Sequence, residues 1–158
     1  MSIHEELIVQ LGRWNLQYHH SEREILNRFF KELKENKRIM GIQCPRCSRV
    51  IVTPRRLCEK CSVPNEEWVE LKDTGTIDTF TIQYTQMPEF PNTPYYLAFI
   101  KLDGADTALL HHVRGIDPMD MENAKKRLRA GMRVRAKWKD KREGQITDIE
   151  YFEPIEKD

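Results

Sequence analysis

Residues 41–64 read GIQCPRCSRVIVTPRRLCEKCSVP and hold all four cysteines of the chain. They form two Cys-x-x-Cys pairs, Cys44 with Cys47 and Cys58 with Cys61, with Ser48 to Leu57 as the loop between them. Each pair places two thiolates on a tight turn, and two such turns can supply a tetrahedral sulfur site. A secreted disulfide framework scatters its cysteines along the chain, and a thioredoxin-like exchanger sets one pair beside a βαβ unit that is not visible here. The spacing therefore predicts reduced thiolates around a structural metal. With thiolates at all four positions, no place is left for the water or substrate that a catalytic zinc needs. Zinc is the expected ion, although four thiolates also hold iron in redox sites. The segment Ile39 to Pro64 is too small to bury a core of its own. Metal binding, worth about 10–16 kcal/mol in small zinc peptides, is expected to supply its folding energy.

On the N-terminal side, Leu7, Leu11, Trp14 and Tyr18 recur at helical spacing and predict an amphipathic helix over Glu5 to Tyr18, despite Gly12. Ser21 and Glu24 form a capping-box pattern that starts a second helix near Glu22. Ile25, Leu26, Phe29, Phe30 and Leu33 give it one apolar face. Lys34, Lys37 and Arg38 suit its negative end, so it should stop near Asn36. These aromatics pack the helices on each other or on the rest of the chain; a docking arm for another protein is the second reading.

On the C-terminal side the period changes to two, through Trp68, Val69 and Leu71 and then Ile77 to Tyr84, where Phe80, Ile82 and Tyr84 share a face. Pro88, Pro91 and Pro94 make Met87 to Pro94 an extended loop. Tyr95 to Leu102 and Thr107 to Arg114 flank Asp103-Gly104-Ala105-Asp106 and read as a hairpin. Asp117-Pro118 opens a helix, with Met121, Ala124 and Leu128 on its stripe, that ends before Gly131. Arg133 to Lys139 alternates, and a Glu143-Gly144 turn leads to a last strand from Gln145 to about Phe152, ended by Pro154. Three strands, a helix and two strands suit a five-stranded OB-fold barrel with its own apolar core; an open antiparallel sheet is the alternative. The predicted fold class is mainly β with N-terminal α-helices: a helical segment over 1–38, a zinc ribbon over 39–66 and an OB-fold domain over 67–158.

The chain has 158 residues, 39% of them hydrophobic, which is enough for a buried core. Its 26 Lys and Arg against 25 Asp and Glu leave a nearly balanced field, so any anion must be bound by a local patch. No apolar run approaches the ~20 residues of a membrane helix, and the charged N-terminus lacks a signal-peptide apolar core, which predicts a cytoplasmic protein with no membrane partner.

Taken together, the helical arm, Gly41-Ile42-Gln43-Cys44-Pro45-Arg46-Cys47, Cys58-Glu59-Lys60-Cys61, Trp68, the strand entry Gly75-Thr76-Ile77 and Gly131-Met132-Arg133-Val134-Arg135-Ala136 resemble a known family over nearly the whole chain. It is that of the acyl-CoA-associated proteins that join a rubredoxin-like zinc ribbon to an OB-fold. The resemblance implies a non-catalytic scaffold that docks a thiolase or a hydroxymethylglutaryl-CoA synthase and helps an acyl-CoA intermediate pass between them. The ligand assignment of Cys44, Cys47, Cys58 and Cys61 carries over with it.

CoA carries a pyrophosphate and a 3′-phosphate, which favour Arg and Lys, and a pantetheine arm that needs a mostly apolar channel. The candidate phosphate contacts are Arg133, Arg135 and Lys137 on one strand face, with Lys101 and Arg114 as neighbours if the strands pair as in an OB barrel. A solvated outer face is the plain alternative for all five. His111 and His112 should point to opposite faces, and no nucleophile at motif spacing joins either of them, so no catalytic set is expected. The competing function is a single-stranded nucleic-acid-binding module, since ribbons and OB barrels serve that purpose and Trp138 lies among basic residues. The near-neutral net charge weighs against it.

Overall fold

A computed structural model of the chain describes residues 24–86, 93–116, 120, 122 and 128–155. The helix expected over 5–18, most of the proline-containing loop and most of the helix expected after Pro118 lie outside these residues.

Helix α1, Glu24–Lys31, has an acid in its first turn and Arg28 and Lys31 in its last, as the helix dipole favours. It runs into a π-helical turn, Glu32–Asn36, and stops there because Lys37 turns left-handed at φ 56° and donates its N–H to the Glu32 carbonyl. The Arg38 side chain then returns to the Glu32 carboxylate, Nη2 at 2.8 Å and Nε at 3.1 Å. Phe29 and Leu33, four residues apart, are fully buried in the core. One turn earlier Ile25 packs against the cysteine cluster, and the Arg28 guanidinium lies 4.5 Å from the Trp68 ring centre.

The ribbon is a three-stranded sheet, ordered β2, β1, β3, built from β1 (Ile39–Gln43), β2 (Val50–Ile51) and β3 (Glu67–Leu71). The strand at Trp68 to Leu71 thus pairs along its whole length with β1, from Ile39 opposite Leu71 to Gln43 opposite Glu67. It belongs to the ribbon sheet and not to the barrel.

The barrel comprises β4 (Thr74–Gln83), β5 (Tyr95–Leu102), β6 (Ala108–Val113), β7 (Arg133–Trp138) and β8 (Ile149–Pro154). They close in the order β4, β5, β6, β8, β7, so the expected five-stranded OB-type barrel is the architecture and the open sheet is not. Closure requires β4 to pair on both sides. A β-bulge between Ile77 and Thr79 bends it as it passes from β7 to its longer run along β5. Gly75 sits at this crowded start, where a Cβ would stand 2.6 Å from the Lys101 carbonyl oxygen. Phe80 and Ile82, opposite Ala98 and Tyr96, do share a face, but Phe80 and Tyr84 are exposed and only Ile82 packs on the core.

The last strand starts later than expected. Residues 146–148 form a 3-10 turn, and β8 begins at Ile149. The cause is Asp148, whose buried carboxylate accepts from the backbone amides of Glu143, Gly144 and Gln145 and folds the segment into a loop.

One apolar cluster runs through both modules. It joins Ile77, Ile100, Val134, Ile149 and Phe152 of the barrel to Phe29 and Leu33 of the helix and to Ile39, Met40, Val50 and Leu71 of the ribbon sheet. The barrel therefore has no apolar core separate from the ribbon sheet. A polar clamp reinforces the junction: the amide of Val50 donates to Asp106 Oδ2, and the amide of Asp106 donates to the Val50 carbonyl, each at 2.8 Å. Beside it the Val52 amide donates to the Thr107 hydroxyl, which itself donates to the Val52 carbonyl, again at 2.8 Å.

Candidate metal centre and cationic face

Both Cys-x-x-Cys turns are built alike. In the first, the Ser48 amide donates to the Cys44 carbonyl at 2.9 Å and the Cys44 amide to the Arg49 carbonyl at 3.0 Å. In the second, Ser62 donates to the Cys58 carbonyl and Cys58 to the Val63 carbonyl, both at 2.9 Å. Ser48 and Ser62 each turn left-handed, at φ 58° and 55°, which curls the backbone back and aims both sulfurs of each pair inward.

All four Sγ atoms lie within 4.8 Å of one another, and no two are joined as a disulfide. Sulfurs at about 2.3 Å from a tetrahedral zinc stand about 3.8 Å apart, and the Cys47 and Cys58 Sγ atoms are 3.8 Å apart. The donor set fits the ion. Cys44 and Cys58 are buried beside Ile42 and Ile51, whereas Cys47 and Cys61 are half-buried. Desolvation first, and then hydrogen bonds with the thiols of Cys47, Cys58 and Cys44, push the Cys61 thiol up to about 12. Loading a metal here releases protons.

The five candidate phosphate contacts all reach the outer surface of the barrel. Arg133, Arg135 and Lys137 alternate along one face of β7, and Thr76 stands between Arg133 and Lys101 across the sheet. Lys137 lies opposite Tyr151, over whose ring the Arg114 guanidinium sits at 5.1 Å. Two of the five are already engaged by acids. Arg133 grips Asp103 with both terminal guanidinium nitrogens, Nη1 at 2.6 Å and Nη2 at 2.5 Å, and Nη1 also donates to the Thr76 hydroxyl. Arg114 approaches Glu150 at 3.6 Å. Lys101, Arg135 and Lys137 are exposed and form no ion pair among the described residues. Hydrogen bonds from Arg133 and then Thr74 hold the Asp103 carboxyl well below the usual carboxylate range, at about 2. The face mixes charges; it is not a basic stripe.

Two adjoining family models match residues 32–139 of the chain. Residues 32–67 match the ChsH2 rubredoxin-like zinc ribbon domain, and residues 68–139 match the ChsH2 C-terminal OB-fold domain. The chain belongs to this ribbon-and-OB-fold family.

Among curated relatives, a DUF35 domain-containing scaffold protein of Methanocaldococcus jannaschii is 28% identical over 78 residues, 48% of this chain and 55% of the relative. The match thus spans about half of that relative's length. Two solved structures share the fold. One is a DUF35-family protein of unknown function from Sulfolobus solfataricus, with a TM-score of 0.58, 25% identity and 84% of each chain covered. The other is titled Ltp2-ChsH2(DUF35) aldolase, with a TM-score of 0.59, 22% identity, and coverage of 87% of this chain and 98% of that one. Within this family's frame the cysteine cluster is the centre of a zinc ribbon.

Sequence reasoning missed the residues that set the frame. Ser48 and Ser62 carried a readable signal, since each directly follows a Cys-x-x-Cys pair. Asp103, Asp106 and Asp148 carried none, because each is defined by a partner far away or by a turn that only the fold creates. The two histidines follow the expected alternation of the strand, His111 buried with Leu109 and Val113 and His112 half-buried on the other face, yet their ring centres are 4.7 Å apart. Both lean on the β6–β8 seam, where Val113 opposite Phe152 is the paired position. His112 Nε2 lies 3.1 Å from the Glu150 carbonyl and His111 Nε2 lies 3.4 Å from that of Ile146. Burial, then the neighbouring His111, Arg114 and Lys139, pushes His112 down to about 4, and burial lowers His111 too. Among the described residues no helix is long and apolar enough to cross a membrane.

Proposed function

We propose that this chain is a non-catalytic scaffold that docks an acyl-CoA enzyme, a thiolase or a hydroxymethylglutaryl-CoA synthase, and assists transfer of the acyl-CoA intermediate. The observation that carries this reading is the match to the Methanocaldococcus relative named as a scaffold protein, on a chain whose metal centre has four protein ligands and no open position. A centre of that kind holds shape and does not activate water. The shared core and the Asp106 clamp make ribbon and barrel one body, which suits a part that must hold two surfaces in fixed relation. Lys101, Arg135 and Lys137 are the cations of the outer face left to meet CoA phosphates, while Arg133 and Arg114 position the acids beside them.

The nucleic-acid reading draws less support. Asp103, Glu150 and Glu153 interrupt the cationic face, and the chain's net charge is +1.

The test is co-expression with candidate thiolases and hydroxymethylglutaryl-CoA synthases, followed by size-exclusion chromatography of the zinc-loaded chain. A stoichiometric complex is expected, with no thioester turnover by the chain alone. Turnover by the isolated chain, or elution apart from every such enzyme, defeats the proposal. An aldolase belongs in the same screen.

A further inference from the structure

We propose that β4 pairs through its free edge, residues Thr79 to Gln83, with the same edge of a second copy of the chain, antiparallel and about a two-fold axis at Thr81. The assignment does not depend on the scaffold reading.

The edge exists because β4 outruns its neighbour. β7 pairs with it only from Thr74 to Thr76. One further exchange follows, in which the Ile77 amide donates to the Met132 carbonyl at 2.9 Å and the Ile77 carbonyl accepts from the Gly131 amide at 2.8 Å. The bulge between Ile77 and Thr79 then bends the strand, and from Thr79 to Gln83 its pairing is with β5 alone among the described residues. In such a strand every second amide and carbonyl faces outward with no strand to meet it. Thr79, Phe80 and Thr81 are exposed, Phe80 by 37%.

The ribbon sheet guards its edges, and this edge is unguarded. In the ribbon, β2 is two residues long and β3 carries exposed Glu67 and Glu70. Residues 79–83 read TFTIQ, with no charge, proline or glycine and with β-branched or aromatic side chains everywhere but Gln83. An edge of that composition is a template for a further strand.

The order of side chains selects a second copy as that strand. A two-fold axis at Thr81 sets Thr81 opposite itself, Phe80 opposite Ile82 and Thr79 opposite Gln83, so that polar meets polar and apolar meets apolar. Phe80 and Ile82 already share one face of β4, and their meeting covers the exposed ring. Aromatic with β-branched and threonine with threonine are pairs that favour each other across strands. One place further out Asp78 meets Tyr84, so no like charges oppose.

The experiment is analytical ultracentrifugation of the zinc-loaded full chain over a concentration series, which should show a monomer–dimer equilibrium. Because position 81 faces itself, Thr81→Lys and Thr81→Glu should each weaken the dimer about tenfold, and an equimolar mixture of the two should recover it. Zinc content and circular dichroism should stay unchanged, since Thr81 is exposed. Should either variant fail to fold, amide exchange of the wild type decides, and protection within residues 79–83 should rise with concentration. A monomer at every concentration, or a dimer indifferent to both charges, overturns the proposal. Loss in both variants without recovery in the mixture overturns the axis at Thr81 and the proposal with it. Protection of residues 79–83 only beside a co-expressed enzyme gives the edge to that enzyme and overturns the second copy.

Discussion

The ribbon and the barrel are held together by different means. Around the cysteines the buried apolar cluster among the described residues is Ile42, Cys44, Ile51 and Cys58, two of them metal-site residues, so coordination does what a core cannot. The barrel instead closes around fully buried Phe152, Ile100, Val134 and Ile149. The two are nevertheless not separable, since the ribbon's β1 and β3 lend Ile39, Met40 and Leu71 to the barrel's core. A metal-dependent module thus leans on a metal-independent one along one face only, and each variant below probes one side of that asymmetry.

The largest effect falls on the metal. Cys58→Ser, or chelation, should forgo most of the about 10–16 kcal/mol that zinc supplies to such peptides, and the knuckles should lose order. A chromogenic zinc assay with amide hydrogen exchange checks this. Exchange should rise throughout residues 44–64, and the barrel should persist at a lower melting temperature, because Ile39 and Leu71 lose their anchoring. Zinc content unchanged in Cys58→Ser would remove Cys58 from the ligand set.

Phe152→Ala should cost about 3–5 kcal/mol in urea unfolding, with zinc still bound in the folded fraction. The control lies on the barrel's outside: Phe99, 45% exposed, should tolerate alanine within about 0.5 kcal/mol. Asp148→Ala leaves three backbone amides without their carboxylate and should cost about 3 kcal/mol. Asp106→Ala removes one arm of the junction clamp, an effect of about 1 kcal/mol. Its signature should be faster exchange at Val50, with the cysteine site unchanged.

Acid should weaken the barrel seam gently, and in two windows. Since His112 is held at about 4 in the folded state, the unfolded chain takes its proton first as pH falls from about 6.5, and stability declines from there. Asp103 has the other sign of charge and the same direction of loss: its contribution is present above about 3.8 and disappears as pH falls toward about 2. Urea midpoints for wild type and His112→Gln between pH 7 and pH 4.5 separate the first window, and the variant should show the flatter slope.

Much of this architecture was legible beforehand because local patterns carry it. Thiolate spacing announces a sulfur site wherever it occurs, the apolar spacing of Ile25, Phe29 and Leu33 marks the helix that ends at Asn36 (its expected cap at Ser21 lies outside the described residues), turn residues mark the hairpin around Gly104, and period-two alternation marks the strands. Errors arose where a residue's role depends on a distant partner. The strand at Trp68 reads the same whether it joins the ribbon or the barrel, and only its pairing with β1 decides. Arg133 reads as a free cation until Asp103 is seen to hold it.

The sequence by itself therefore determined the four-cysteine centre, the order of modules and the barrel's strands, since these rest on spacing and periodicity within a few residues. Only the tertiary structure decided that the two modules share one core, that Asp103 and Glu150 engage two of the five candidate cations, and that β4 runs on past its pairing with β7. Those outcomes depend on which surfaces meet across the fold, and burial and charge pairing are properties of contacts between segments far apart in the chain.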